Sequence, residues 1–129
     1  MRSKYLNKKI TVDGIQFDSK ADAHRFTELK LLQRSGAITD LRLQVPYELI
    51  PAQYVPTGEF YVKGYKAGQP KMKCVECQVK YIADFVYTEN GQTVVEDVKG
   101  YVHGGAYEIF KIKRKLMLYR YGIQIKEIK

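Results

Sequence analysis

The chain has 129 residues, with 22 Lys and Arg against 14 Asp and Glu, so its formal charge is +8 at pH 7. This length predicts one domain that buries roughly two-thirds of the surface of the unfolded chain, and therefore needs no disulfide or metal to hold its core. The excess of positive charge favours a polyanionic partner, and nucleic acid is the one we expect. No apolar run is long enough to span a membrane or to follow the basic first residues as a signal peptide, so we expect a cytoplasmic protein.

The two cysteines, Cys74 and Cys77, have the spacing of half a tetrahedral zinc site. The other half is missing, because His24 and His103 are both distant in sequence. We therefore expect two reduced thiols and no structural metal.

The first predicted elements are a short hairpin and a helix. The turn dipeptide Asp13-Gly14 predicts the hairpin over residues 9–18. Ser19, followed three residues later by Asp22, fits a capping box and predicts a helix that continues to Arg34. The inward side of this helix is expected to carry Asp22, Phe26, Leu29 and Gln33.

A strand and an extended arm come next. Residues 41–49 alternate apolar and polar side chains, which predicts a strand with one buried face, and Pro46 indicates an edge or a bulge. The pattern leaves open which side Gln44 faces. Residues 52–80 are rich in Pro, Gly and Tyr and predict a hairpin arm within the same domain. The basic residues of the arm are Lys63, Lys66, Lys71 and Lys73. Lysines among aromatic residues suit phosphates and stacked bases, while protection of an exposed strand edge from aggregation explains them equally well.

Residues 81–99 predict a hairpin with acidic residues inside its strands. Asn90-Gly91 is the signal for a type I′ turn, which sets a register with Asp84 opposite Asp97. Alternation of side chains then places Asp84, Asp97 and Lys99 on one face. Opposed carboxylates repel, and a bound divalent cation is the simplest reason for them. The alternative is a solvated face on which Lys99 neutralises both acids. The other charges of this hairpin, Lys80 and Glu96, are expected on the surface.

The last predicted elements are a second helix and a strand. A flexible turn over residues 100–105 leads into a helix from Ala106 to Tyr121, and residues 122–129 predict a final strand. The core stripe of the helix is expected to contain Ile109, Ile112, Leu116 and Tyr119. Its remaining surface carries Lys111, Lys113, Arg114, Lys115 and Arg120. These cations are candidates for contacts with phosphates, or they are simply solvated.

An acid on one strand and an acid-X-Lys on the next are the minimal set for metal-dependent phosphodiester hydrolysis. Asp84 and Asp97 would hold one or two Mg²⁺ or Mn²⁺ ions, which polarise the phosphoryl oxygen and lower the pKa of bound water. Lys99 would orient that water or stabilise the developing negative charge. The backbone carbonyl of Val98 is a further candidate ligand. Asp22 would add a carboxylate if its helix crosses this end of the sheet, or it would only cap the helix.

Three segments resemble the signatures of a known family: residues 17–23 (FDSKADA), residues 81–85 (YIADF) and residues 95–100 (VEDVKG). They are similar to an uncharacterised group of phage and prophage proteins, assigned to the PD-(D/E)XK restriction-endonuclease-like superfamily and related to Holliday junction resolvases. The resemblance covers most of the chain. Two departures are Asp22, where the group usually has Glu, and Ala83, where the superfamily name expects Pro.

The resemblance implies an α/β fold, in which a single nuclease domain over residues 1–129 has a restriction-endonuclease-like mixed sheet flanked by helices. It implies a Mg²⁺- or Mn²⁺-dependent endodeoxyribonuclease in which Asp84, Asp97 and Lys99 have the roles given above. Branched DNA is the implied substrate, a homodimer the implied assembly, and a phage or prophage gene expressed in a bacterial host the implied context. We expect neither a membrane partner nor a small-molecule cofactor. The alternatives are a DNA-binding module without catalysis and a nicking or restriction-type nuclease acting on linear duplex.

Overall fold

The computed structural model describes residues 9–99 and 104–129. The strands in these ranges are β1 (Ile10–Val12), β2 (Ile15–Phe17), β3 (Thr39–Ile50), β4 (Gln53–Phe60), β5 (Pro70–Glu76), β6 (Val79–Glu89), β7 (Gln92–Val98) and β8 (Lys126–Ile128). The helices are α1 (Lys20–Arg34) and α2 (Gly105–Tyr121). The predicted turn over residues 100–105 lies mostly outside the described residues. No helix in the described ranges is long and apolar enough to cross a membrane.

A four-stranded sheet with the order β3-β6-β7-β8 forms the centre of the protein. Its pairs are antiparallel except for β7 and β8, which run parallel. On one face Phe26 of α1 packs in a cluster with Phe85. On the other face Phe110 and Met117 of α2 pack in a cluster with Val86. The expected mixed α/β class is therefore confirmed, with one helix on each side of the sheet.

The local turn and cap signals give the predicted structures. Asn90 and Gly91 have φ values of 53° and 77°, as a type I′ turn requires, and Asp13 and Gly14 have the same sign of φ. The Oγ of Ser19 accepts the N–H of the third helical residue at 3.1 Å, which fixes the start of α1. Both hairpins and α1 therefore lie where the sequence predicts them.

The predicted alternation of β3 is confirmed, because its odd-numbered residues from 41 to 49 are the more buried ones, but these residues do not share one face. Leu43 packs in the cluster beneath α1, whereas Val45 packs in the cluster beneath α2. Between them Gln44 has φ of 52°, which is uncommon for a residue other than Gly and marks the point at which the inward side chains of the strand change face. The partner strand changes face at the same level, because Phe85 and Ala83, which pair with Leu43 and Val45, also belong to different clusters.

The predicted core stripe of α2 is also wrong. The buried residues of this helix are Phe110 and Met117, and Leu116 is only partly buried. Three residues of the predicted stripe are exposed: Ile109 by 57%, Ile112 by 60% and Tyr119 by 89%. One residue corresponds to about 100° of rotation, so a stripe assigned one position away faces solvent. The bounds of α2 agree with the prediction, and Gly122 ends it with φ of 69°.

The predicted arm is a continuation of the β3–β6 hairpin. β3 leads directly into β4, β5 leads directly into β6, and β4 pairs with β5 in nearly the same register as β3 with β6. Every side chain of β4 is exposed. Eight residues of strand reach about 25 Å at 3.3 Å each, so the arm extends well beyond the sheet.

Candidate functional site

Asp97 lies near the end of β7 and is buried, with 6% of its surface exposed. Its Oδ1 is 2.9 Å from the Nζ of Lys99, and its Oδ2 accepts the hydroxyl of Tyr81 at 2.6 Å. The Nζ of Lys99 also lies 3.6 Å from the centroid of the Phe110 ring. A carboxylate has about four lone-pair positions, so Asp97 keeps capacity to bind a cation after these two contacts.

Asp84 occupies the point at which β6 changes face. The register pairs of β6 and β7 extend from the turn as far as Phe85 and Glu96, so the predicted register holds up to Phe85, the residue that follows Asp84 in the chain. Beyond this last pair the Oδ2 of Asp84 accepts the backbone N–H of Val98 at 2.8 Å. Val98 thus contacts Asp84 through its N–H, and ligation through its carbonyl stays a prediction.

The environment of Asp84 opposes its negative charge. Burial and the charges of Asp97 and Asp22 together raise the pKa of this carboxyl to about 6, against the opposite effects of the Val98 N–H and of Lys99. A carboxyl shifted in this way, in a cleft and beside a second acid, is typical of a functional site. A divalent cation between the acids would supply the missing opposite charge.

Asp22 combines the two roles that the sequence left open. Its carboxylate accepts the Ser19 hydroxyl at 2.8 Å while its N–H donates to the same oxygen, so it takes part in the helix cap. It also lines a cleft together with Asp84 and Gln44. Burial raises its pKa, and the charges of Asp18 and Asp97 add to the effect. Capping therefore leaves Asp22 facing the same cleft as Asp84.

Two neighbouring clefts divide the predicted site residues. The first, which we call the α1 cleft, has a volume of about 350 Å³, and its polar lining residues are Gln16, Asp18, Asp22, Gln44 and Asp84. The second, the α2 cleft, has a volume of about 380 Å³, and its charged lining residues are Lys80, Asp97, Lys99 and Lys113. Asp97 and Lys99 thus share a face as predicted. Asp84 opens to the other cleft because β6 changes face at its position.

The donor chemistry of these residues suits a hard divalent cation. Within residues 9–99 and 104–129, no three His, Cys, Asp or Glu side chains lie close enough together to hold an ion. Mg²⁺ is often bound by only one or two carboxylates, with waters and substrate phosphates completing its coordination. Asp84 and Asp97 are two such carboxylates, and the charge of Asp97 helps to raise the pKa of Asp84. They fit a Mg²⁺ or Mn²⁺ ion by their chemistry and their number.

Glu96 is a residue that the sequence interpretation placed wrongly. It is fully buried and accepts hydrogen bonds from the Nε and Nη2 of Arg25 at 2.8 and 2.6 Å, and from the Tyr87 hydroxyl. This bidentate pair connects α1 to β7 next to Asp97. The signal was present in the sequence, because alternation puts Glu96 on the inward side of β7 with Val94 and Val98.

The predicted DNA-contacting residues form two separate groups. In the arm, the Nζ atoms of Lys66 and Lys71 lie 5.6 and 5.5 Å from the ring centroid of Tyr61. Lys63 and Lys73 are exposed. On α2, Lys111 pairs with Glu108 at 3.1 Å and Arg114 with Glu127 at 3.0 Å. Lys113 and Lys115 have no carboxylate partner in the described part of the chain. The thiols of Cys74 and Cys77 are free and exposed.

The fold and the site define an α/β protein with one buried and one partly buried aspartate on two central strands and a lysine directly after the second of these strands. The chain belongs to the family described as "Protein of unknown function (DUF1064)", which matches residues 2–128. No curated protein and no solved structure matches it.

Proposed function

We propose that this protein is a metal-dependent DNA endonuclease with a restriction-endonuclease-like core. The observation that carries the proposal is the arrangement of Asp84, Asp97 and Lys99 on adjacent strands. Lys99 pairs with Asp97, and the charges of both residues act on the carboxyl of Asp84. A protein that only bound DNA would gain nothing from an acid at Asp97 whose charge opposes the ionisation of Asp84. Hydrolysis through a bound cation gives both acids a use.

The residues would divide the work of phosphodiester hydrolysis. A Mg²⁺ or Mn²⁺ ion, when bound, polarises the phosphoryl oxygen and lowers the pKa of the attacking water. Asp84 and Asp97 would hold that ion, and the Tyr81 hydroxyl fixes the orientation of the Asp97 carboxylate. Lys99, with its ammonium held between Asp97 and the Phe110 ring, would stabilise the negative charge that develops on the phosphate. Asp22 would contribute from the α1 side, directly or through water.

Branched DNA is the substrate that we propose, in the cytoplasm of a bacterial host that carries the gene on a phage or prophage. The net charge of +8 and the exposed basic arm support a polyanionic partner. The resemblance to junction resolvases supports branched over linear DNA. A DNA-binding module without catalysis is the second candidate. The basic arm by itself supports this candidate as well as it supports a nuclease.

Cleavage of a substrate panel tests the proposal. The protein is incubated with a four-way junction, a linear duplex and a single strand, each in Mg²⁺, Mn²⁺ or EDTA, beside Asp97→Ala. We expect cutting of the junction in either metal, none in EDTA and none by the variant. Binding without cutting in every condition would establish the second candidate, and cutting of the duplex alone would favour a restriction-type enzyme.

The proposed assembly is a homodimer, because two strands of a junction need paired cuts. The exposed side chains of Ile112 and Tyr119 on α2 support a contact with a second copy, since exposed apolar residues on one helix face often mark an interface. Sedimentation at several concentrations tests this assembly. We expect a dimer that Ile112→Glu converts to a monomer, while Leu31→Glu, at an equally exposed position of α1, leaves it intact. A monomeric wild-type protein would refute the dimer.

A further inference from the structure

The α2 cleft has features that hydrolysis itself does not require. It lies beside Asp97 and Lys99, and its volume of about 380 Å³ falls at the lower end of ligand pockets, which measure roughly 300–1,000 Å³. Its lining adds two further lysines, Lys80 and Lys113, and the apolar side chain of Ile109.

Three cations from separate elements converge on this cleft. Lys80 comes from β6, Lys113 from α2, and Lys99 follows β7. Within the described ranges neither Lys80 nor Lys113 has a carboxylate at ion-pair distance, although their neighbours Lys111 and Arg114 on α2 do. Lys99 is paired with Asp97, so Lys80 and Lys113 are the two lysines whose charge is not balanced by a carboxylate, and they favour an anion between them.

The apolar part of the lining is only half covered. Ile82 is 44% exposed and Ile109 is 57% exposed, and both line the cleft with the lysines. A cleft that offers ammonium groups and an apolar wall matches a nucleotide, whose phosphate is anionic and whose base has apolar faces. Base faces are accessible only in unpaired nucleotides, because neighbouring base pairs cover them in a duplex.

We propose that the α2 cleft binds an unpaired nucleotide next to the phosphodiester that is cut, with Lys80 and Lys113 on its phosphate and Ile82 and Ile109 against its base. The position of this nucleotide relative to the cut bond rests on the proposed nuclease function. The binding itself rests on the cleft alone. The inference narrows the substrate to DNA that presents an unpaired nucleotide, such as a single strand, a flap or an open branch point.

The phosphate contacts are tested by binding in EDTA, where no hydrolysis occurs. Affinity for a labelled single-stranded oligonucleotide is measured at several salt concentrations for the wild type and for the double variant Lys80→Gln/Lys113→Gln. We expect the slope of log affinity against log salt to fall by about 0.7 for each lysine. The double variant Lys30→Gln/Lys126→Gln removes the same charge outside both clefts and should keep the slope. An unchanged slope in the first variant, or an equal change in the second, would overturn the phosphate contacts.

The base contacts are tested by comparing single strand with duplex. Ile82→Ala and Ile109→Ala should each weaken binding of the single strand by roughly fourfold for every buried methylene group that is lost, and leave duplex binding unchanged. Leu118→Ala, at a 52% exposed position of the same helix, is the matched control and should alter neither. Equal losses for both DNAs, or no loss for either, would overturn the base contacts.

The two proposals fail separately. If the lysine and isoleucine variants lose single-strand binding but the wild type cuts no DNA, the cleft stands and the nuclease proposal falls. If the wild type cuts DNA and all four substitutions bind and cut as the wild type does, the cleft falls and the nuclease proposal stands.

Discussion

Asp84 shows how one residue can join a strand irregularity to chemistry. It lies where β3 and β6 both change face, opposite Gln44 with its positive φ. Because of this change, the carboxylate of Asp84 lies on the opposite face of the sheet from Asp97. It still accepts the backbone N–H of Val98. The local backbone therefore places two acids on two clefts at the end of one strand pair.

The raised pKa of Asp84 makes the stability of the protein fall as pH rises. Between about pH 4 and pH 6 the folded protein holds a proton that the unfolded chain has released, so the free energy of unfolding decreases through this window. A shift from 3.8 to about 6 corresponds to roughly 3 kcal/mol at most. Above pH 6 the ionised carboxylate of Asp84 destabilises the folded protein by this full amount.

Asp84→Asn should remove this cost. The amide oxygen can still accept the N–H of Val98, but it carries no charge, so we expect the variant to be more stable than the wild type by roughly 2–3 kcal/mol at pH 7.5 and equally stable near pH 4. Urea unfolding at the two pH values measures the difference. Asp40→Asn, at an exposed position, is the control and should follow the wild type. Parallel pH profiles for wild type and Asp84→Asn would contradict the raised pKa.

A bound cation should offset the destabilisation that the ionised carboxylate of Asp84 causes. Mn²⁺ at 100 times its Kd stabilises the folded state by about 2.7 kcal/mol, so thermal unfolding of the wild type at pH 7.5 should shift upward with Mn²⁺ concentration. Asp84→Asn and Asp97→Asn should lose this shift. An equal shift in all three proteins would place the ion elsewhere.

At the scale of elements, the pair of Arg25 and Glu96 connects α1 to β7. Glu96 is fully buried, and the side chain of Arg25 is 16% exposed. The hydrogen bond with Glu96 raises the pKa of Arg25, so the guanidinium stays charged at any ordinary pH. Because Asp22 lies one helical turn before Arg25, the pair also sets the position of that acid relative to Asp97.

Breaking the pair from one side should cost far more than removing it. Glu96→Ala leaves a largely buried guanidinium with only the longer, 3.4 Å contact to Glu28, and we expect a loss of about 3 kcal/mol in the free energy of unfolding. The double variant Arg25→Met/Glu96→Leu leaves no buried charge and should recover most of that loss. Urea unfolding of the single and double variants measures the coupling between Arg25 and Glu96. If the losses in the free energy of unfolding of the two single variants add up in the double variant, the predicted coupling is contradicted.

The sequence predicted elements whose signals are local. The turns at Asn90-Gly91 and Asp13-Gly14 and the cap at Ser19 depend on the conformations of a few residues, and all three are confirmed. The extended arm was also predictable, because its composition differs from that of the core. The mixed sheet was expected from the family resemblance, and the central sheet has the strand order β3-β6-β7-β8.

The errors concern which way a residue faces, because packing partners decide that. Odd-numbered apolar residues in β3 suggested one face, yet the positive φ of Gln44 divides them between two clusters. The helix α2 has apolar residues on several of its sides, so the spacing of these residues did not show whether Ile109 or Phe110 faces the core. The site was predictable as a set of residues, and its division between two clefts was not, because that division depends on the same change of face.

At the scale of the whole molecule, charge is concentrated away from the core. The arm stands off the sheet with exposed lysines and aromatic residues, and Tyr65 at its tip is 91% exposed. Its side chains contribute little to the core clusters. The arm can therefore be removed without removing the site.

Deletion of the arm should weaken DNA binding and leave folding intact. Replacing residues 54–75 by Asn-Gly joins Gln53 to Glu76 through a two-residue turn, and we expect the free energy of unfolding to change by no more than about 1 kcal/mol. The slope of duplex affinity against salt should fall by about 0.9 for each lysine that contacts a phosphate. A variant with an intact arm, in which its four lysines are changed to Gln, shows whether the charge of the arm or its shape contributes to DNA binding. An unchanged slope without the arm would contradict its role.

The most direct test of the central claim is the initial rate of Mn²⁺-dependent cleavage of a labelled four-way junction at pH 7.5 by the wild type and by Asp84→Asn. The variant is expected to be the more stable protein at this pH, so lost activity is not lost folding. The nuclease account predicts cutting by the wild type and a rate at least about 100-fold lower in the variant, which is the order of effect expected for removing a group that stabilises the transition state. Equal rates in the two proteins, or no cutting by the wild type, would contradict it.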